Sequence, residues 1–281
     1  MATTTDNSPV ALVTGAASGI GLAVTKYLVS RDYRVAMADW NYEQVTRESA
    51  ALGDRTMAIK CDVSSWDSQL AMFSETKSKW GRIDLVHANA GVADQVPLLT
   101  EPQDVPKKPN TLAIDVDYYG AVYSVSLALF YLRQNNGEGG KIIVTASQVG
   151  VYPFPTGPLY AGAKAACINT VRSIAKSCAK EKIFVNCLCP GLTDTGITNV
   201  AINQFPKNII APMANHIRAV ETFLDTDISG AIMESDAGGL YNRDKPEYWS
   251  PEHQGWMETD DTADAWEKGG PLLSSQVEEA L

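Results

Sequence analysis

Six short apolar runs rich in β-branched residues alternate with helical stretches along this chain: VALVT at 10–14, YRVAMAD at 33–39, TMAIKCDV at 56–63, IDLVHANAG at 83–91, KIIVTAS at 141–147 and IFVNCLCPG at 183–191. Strict strand–helix alternation builds βαβ units, and βαβ units build a parallel sheet. Within each run the apolar residues are successive rather than alternate, as in strands covered by helices on both faces. The chain therefore reads as α/β, a doubly wound parallel sheet. A last short strand, AIMES at 231–235, closes one edge in this reading, and the pattern breaks after Gly238. At 281 residues the chain is long enough to bury a sizeable core as one domain.

The first run passes directly into TGAASGIG at 14–21 and then into the helical LAVTKYLVS. A glycine turn between a first strand and a helix lets backbone N–H groups and the helix N-terminus approach a pyrophosphate without interference from Cβ atoms. This makes the sheet Rossmann-like and assigns Gly15, Ser18, Ile20, Gly19 and Gly21 to a dinucleotide. The second run ends at Asp39, 18 residues after Gly21, where a carboxylate accepts hydrogen bonds from an adenosine ribose. The same carboxylate repels a 2′-phosphate, and neither Trp40 and Asn41 beyond it nor Ala16, Ala17 and Ser18 in the loop supplies a cation. NAD is thus expected over NADP. Asp62 and Val63, at the end of the third run, are placed to meet the adenine; helix caps are the plain alternative for Asp39 and Asp62.

The net charge of −10 and the absence of clustered Lys and Arg argue against a nucleic-acid partner or an anionic membrane surface. From Leu240 onward ten acidic residues stand against three basic, so this tail carries −7 of the total. Its tyrosines, tryptophans and prolines suit an extension packed on a surface better than disorder. There is no apolar run near the roughly 20 residues of a membrane span, and MATTTDNSPV lacks the layout of a signal peptide. Five cysteines in no framework spacing suit reduced thiols, and a cytoplasmic location is expected. Cys187 and Cys189 form a C-x-C without a second ligand pair, so no metal site is expected.

In GPLYAGAKAACI at 157–168, Tyr160 and Lys164 lie one helical turn apart on one face. With TGAASGIG, ANAG at 88–91, the serine of TASQVG at 145–150, YAGAK at 160–164 and PGLTDT at 190–195, in that order, the chain resembles the short-chain dehydrogenase/reductase family, in its single-domain type. The resemblance covers roughly residues 9–240, after an extension at 1–8 and before the acidic aromatic extension at 241–281, and is nearest in texture to the NAD-dependent hydroxyprostaglandin dehydrogenase branch. It implies that Tyr160 is the general acid/base, that Lys164 lowers its pKa and holds the nicotinamide ribose, and that Ser147 bonds the substrate oxygen. Moving a phenol from about 10 to about 7 needs roughly 4 kcal/mol. A cation about 4 Å away supplies about that much at an effective dielectric near 20. Asn89 and Gly91 are then the wall beside the cofactor, and Pro190, Gly191, Thr193 and Thr195 the segment meeting the nicotinamide amide and phosphates.

Two positions depart from the family pattern. IDVDYYG places Asp117 where the family has an active-site asparagine; a carboxylate accepts the same bonds but donates none, and it opposes the pull of Lys164 on Tyr160. Ala88 replaces the first asparagine of N-N-A-G, preceded by His87, which reads as a packed core residue. Gln148, Tyr152 and Phe154, with Ser147 and Tyr160, line the substrate side, and the stretch 196–216 takes the place of the family's lid. These residues are largely apolar, suiting a medium-sized secondary alcohol or ketone. The resemblance also implies a homodimer or homotetramer through helices near 111–135 and 158–180. Two alternatives stay open: a non-redox isomerase, lyase or cyclase on the same scaffold, signalled by Asp117, and a dinucleotide sensor without turnover.

Overall fold

In a computed structural model of the chain, residues 7–94, 98, 105–196 and 202–258 are described. The chain divides into two compact units, Met1–Arg243 and Asp244–Leu281. The first is an eight-stranded sheet in the order β3-β2-β1-β4-β5-β6-β7-β8. Its strands are β1 (Val10–Thr14), β2 (Arg34–Asp39), β3 (Thr56–Lys60), β4 (Leu85–Ala88), β5 (Gly140–Thr145), β6 (Ile183–Pro190), β7 (Ile232–Asp236) and β8 (Gly239–Asn242). Between them run α1 (Gly19–Ser30), α2 (Tyr42–Leu52), α3 (Trp66–Trp80), α4 (Gly120–Leu132), α5 (Pro158–Ala179) and α6 (Met213–Asp225). The first seven strands are parallel.

Every residue of β1 is buried, the consequence of helices on both faces. One face packs Met72 and Phe73 of α3, Ala128 and Leu132 of α4 and Val171 of α5 against Leu12, Val86, Ile142 and Val185. The other packs Val24 and Leu28 of α1 and Val220 and Phe223 of α6 against Val13, Met37 and Ile143. The strand order reverses between β1 and β4, so the connections leaving these neighbours diverge and open a crevice at their carboxyl ends, where ligands of such sheets bind.

Two expectations are corrected. The AIMES strand does not form the edge: β7 is covered by β8, which pairs with it antiparallel after a two-residue connection, Ala237–Gly238. The third strand ends at Lys60, so Asp62 and Val63 lie in the turn that follows rather than at a strand end. In the second unit, α7 (Pro251–Glu258) follows a loop whose Trp249 stacks on His253 of that helix with ring centroids 5.2 Å apart. Residues 1–6 and 259–281 of the two extensions, and 197–201 of the stretch assigned to a lid, lie outside the described residues. No described helix is long and apolar enough to cross a membrane.

Candidate active site

The glycine turn holds its shape because no side chain fits. A Cβ on Gly21 would come 2.2 Å from the carbonyl oxygen of Gly15, and Gly15 itself has φ +65°. The turn delivers the chain into α1 with Ser18 as an extended N-cap whose side chain makes no capping bond, and with no acidic residue in the first turn. The N–H groups around Ser18, Gly19 and Ile20 thus face a crevice without the usual side-chain acceptor, the arrangement that suits a phosphate. Thr195 packs against Gly19, its Cγ2 3.2 Å from where a Cβ would stand, so residues 190–195 border the same turn.

Asp39 closes this end. Its Oδ2 accepts from Ala17 N–H at 3.0 Å and its Oδ1 from Asn41 N–H at 2.9 Å. It is not a helix cap, since Asn41 caps α2 by accepting from Gln44 N–H. Each carboxylate oxygen keeps a lone pair for a ribose hydroxyl. No Lys or Arg pairs with it among the described residues. Trp40 is exposed beside it. Asp62 accepts from the backbone and hydroxyl of Ser64 at 3.0 and 2.7 Å, while Ser65 caps α3, so the capping alternative fails for Asp62 as well. Val63 is buried against Gly120 rather than open to the crevice.

Across the crevice, Asn89 donates to the Thr14 carbonyl at 3.0 Å and accepts from Thr145 Oγ1 at 3.2 Å. His87 is wholly buried and bonds Thr145 Oγ1 at 2.8 Å; burial lowers its pKa to about 3, so it is a neutral core residue. Lys164 donates to the Thr145 carbonyl at 3.0 Å and lies 5.5 Å from the centroid of the Tyr160 ring. Gly91 makes room for it: a Cβ there would stand 3.1 Å from Lys164 Nζ and 3.2 Å from Asp117 Oδ1. Asp117 sits in a π-helical turn, Ile114–Tyr119, that leads into α4, and its Oδ2 is 3.5 Å from Lys164 Nζ. Lys164 thus makes one hydrogen bond, to Thr145, beside its ion pair with Asp117, and the ammonium keeps donor capacity that would suit a ribose hydroxyl.

Ser147 follows β5; its hydroxyl donates to the Pro190 carbonyl at 3.4 Å and accepts from Val149 N–H at 3.4 Å. Lys164 acts on the Tyr160 phenol in the expected direction, against burial. Burial raises its pKa above the ordinary 10; Lys164 and Ser147 pull it down and Asp117 pushes it up again, for a net rise. For Lys164 burial disfavours the ammonium, but Asp117 and Tyr160 outweigh it and the net shift is upward. The cation therefore remains a cation, and the depressed phenol is not reached by Lys164 alone.

On the substrate side, Gln148 borders Gly191, and Phe154 lies over Gly157. Tyr152 donates to the buried Glu234 at 3.2 Å, which also pairs with Arg243, so its hydroxyl is engaged within the fold. Thr193 donates to the Gly191 carbonyl at 2.8 Å and also bonds His216. Residues brought together by the fold but not by the sequence include Asp94 and Thr145. Asp94, in the loop after β4, accepts from Leu159 N–H at 3.2 Å and from Tyr160 N–H at 2.9 Å, so it caps the first turn of α5, whose own N-cap is Gly157. The cue present in the sequence was a helix start at Gly157-Pro158 with no capping side chain of its own.

The family model described as short chain dehydrogenase matches residues 9–204. Short-chain dehydrogenase/reductase prx6 of Penicillium rubens is 34% identical over 258 residues, covering 84% of this chain and 87% of that one. The rat protein named 15-hydroxyprostaglandin dehydrogenase [NAD(+)] is 33% identical, covering 84% and 86%. Among solved structures, a 3-ketoacyl-(acyl-carrier-protein) reductase from Brucella melitensis complexed with NADH superposes with a TM-score of 0.72 at 24% identity, over 82% of this chain and 97% of that one.

Proposed function

Because this chain belongs to the short-chain dehydrogenase/reductase family, we propose that it is an NAD(H)-dependent oxidoreductase interconverting a secondary alcohol and a ketone of medium size and largely apolar character. The observation that carries this reading is the convergence of Ser147, Tyr160 and Lys164, with Lys164 Nζ 5.5 Å from the Tyr160 ring, at the mouth of the crevice opened by the glycine turn. The first turn of α1 holds the pyrophosphate, Asp39 the adenosine ribose and Lys164 the nicotinamide ribose. When bound, the dinucleotide supplies the two-electron half of the reaction, taking hydride from the carbinol carbon or returning it to a ketone.

The protein's own residues carry the proton. Ser147 orients the carbinol oxygen, and the Tyr160 phenolate takes its O–H proton as the carbonyl forms; in reduction the phenol gives the proton back. Lys164 stabilises the phenolate, and the positive charge of an oxidised nicotinamide adds to it. Preference for NAD rests on Asp39, whose carboxylate repels a 2′-phosphate, and the rat relative's name points the same way. A homo-oligomer is supported by the exposed aromatic stripe of Trp66, Tyr119 and Phe130 along α3, the π-helical turn and α4. Five free, buried cysteines fit a cytoplasmic setting.

A second reading, a non-redox isomerase, lyase or cyclase, draws on Asp117, which competes with Tyr160 for Lys164. A panel of secondary alcohols and ketones, followed by absorbance of the reduced nicotinamide with NAD and NADP in parallel, tests both readings. Turnover with NAD on at least one alcohol is expected. Tight dinucleotide binding with no redox turnover across the panel would favour the second.

A further inference from the structure

His216, in the first turn of α6, has no exposed surface and bonds at both ring nitrogens. Nε2 lies 2.8 Å from Thr193 Oγ1 and Nδ1 lies 2.7 Å from Ser235 Oγ. The tautomer follows from the partners. The Gly191 carbonyl can only accept, so the Thr193 hydroxyl proton points to it at 2.8 Å. Thr193 Oγ1 must then accept from His216 Nε2–H, which leaves Nδ1 as an acceptor for the Ser235 hydroxyl. Burial lowers the imidazole pKa to about 4, so it is neutral at ordinary pH. Next to it, Asn215 donates to the Asp236 carbonyl at 2.7 Å, so the first turn of α6 is tied to the end of β7 through two consecutive side chains.

We infer that His216 is a positioning residue for the cofactor: it fixes the rotamer of Thr193 and so the course of residues 190–195 along the dinucleotide crevice. The inference rests on the cofactor reading above. Its physical basis is that a lone threonine side chain on a loop has three staggered rotamers, whereas here one hydroxyl is held between a carbonyl and an imidazole that is itself anchored on β7. Two conservative variants separate the two bonds. H216N keeps an acceptor near the Nδ1 position, for Ser235, and removes the donor to Thr193. H216Q keeps a donor near the Nε2 position and removes the acceptor.

NADH binding to the full-length protein, read by nicotinamide fluorescence beside the thermal midpoint of each variant, is the test. H216N and T193V should each raise Kd about tenfold, the worth of one positioned hydrogen bond. H216Q should bind close to wild type, and the double variant H216N/T193V should be no weaker than either single one. Additive losses, or affinities that follow the thermal midpoints, would make His216 structural only and overturn the inference. So would an H216N variant that binds like wild type. Should H216N fail to fold, T193S against T193V decides: T193S must bind like wild type and T193V about tenfold weaker, and equal binding overturns the proposal. If the unmodified chain binds no dinucleotide at all, the cofactor reading falls, and this inference with it.

Discussion

Asp117 Oδ2 and Lys164 Nζ lie 3.5 Å apart with 0% and 3% of their side chains exposed. The other carboxylate oxygen accepts from Val92 N–H at 2.7 Å, so the pair is anchored to the loop after β4 as well as to α5. Burial raises the carboxyl pKa above the ordinary carboxylate range, and Lys164 and the Val92 N–H, which favour the anion, offset only part of the rise. The anion in turn raises the Tyr160 pKa. Asp117→Asn keeps the acceptor for Val92 and removes the charge. Turnover should stay within a few-fold and the pH–rate profile should move towards lower pH, because a nearby anion disfavours phenolate and its loss favours it. A profile that does not move would show that the carboxylate has no influence on Tyr160. A hundredfold gain in redox turnover would instead mark Asp117 as a block on redox chemistry.

Tyr160→Phe should lower turnover by about 10²- to 10⁴-fold, the usual contribution of an acid/base group. NADH affinity should hardly change, since the ring still packs beside Lys164. Steady-state rates with any substrate found in the panel, set against a fluorescence Kd, check this. A variant retaining more than about a tenth of the rate would remove Tyr160 from the proton-transfer role.

The strands that hold this site could be read in the sequence because parallel strands buried on both faces must be apolar at successive positions, as in VALVT and IIVT. The edge strand GLYN could not, since an antiparallel edge carries no such run; two of its residues are half-buried and two exposed. Its one cue is the glycine pair at 238–239 after β7. Tyr160 and Lys164 were legible because four residues make one helical turn. The cap from Asp94 was not, because 66 residues separate it from Tyr160, and only the sheet order brings β4 beside the start of α5. The competition between burial and Lys164 for the phenol was likewise out of reach, because it depends on how deeply α5 is covered rather than on spacing.

Asp39→Ala should weaken NAD binding and narrow the preference over NADP. The carboxylate has two jobs in the structure: it presents lone pairs at the end of β2, and it holds Ala17 of the glycine turn at 3.0 Å. Loss of the second function lowers affinity for both dinucleotides, and loss of the first removes the repulsion that falls on a 2′-phosphate alone. The ratio of kcat/KM for NAD and NADP is the measurement, and an unchanged ratio would sink the ribose assignment.

Asp94→Ala removes the acceptor for two N–H groups in the first turn of α5 and should cost about 1 kcal/mol of stability, the usual value of a cap. Because one of those N–H groups belongs to Tyr160, kcat should fall more than NADH affinity does. Asp94→Asn, which keeps an acceptor, should recover most of the loss. Equal loss of rate in both variants would show that the charge matters and the cap does not.

The last prediction concerns acid. His87 and His216 are wholly buried, and burial lowers their pKa values to about 3 and about 4. In the unfolded chain both take protons near the ordinary histidine value of 6.5. As pH falls through 6.5, the unfolded state binds two protons that the native state refuses, so stability is full above that point and declines below it. Each group contributes about 1.4 kcal/mol per pH unit once the unfolded form is charged, so the pair should remove about 4 kcal/mol between about pH 8 and pH 5. Denaturant unfolding of the full-length protein across that range measures it. Replacing His216 with Gln, which cannot be protonated, should halve the slope above pH 5, where carboxylates contribute least. A stability that stays flat from pH 7 to pH 5 would mean that both imidazoles take up their protons in the native fold as readily as in the unfolded chain.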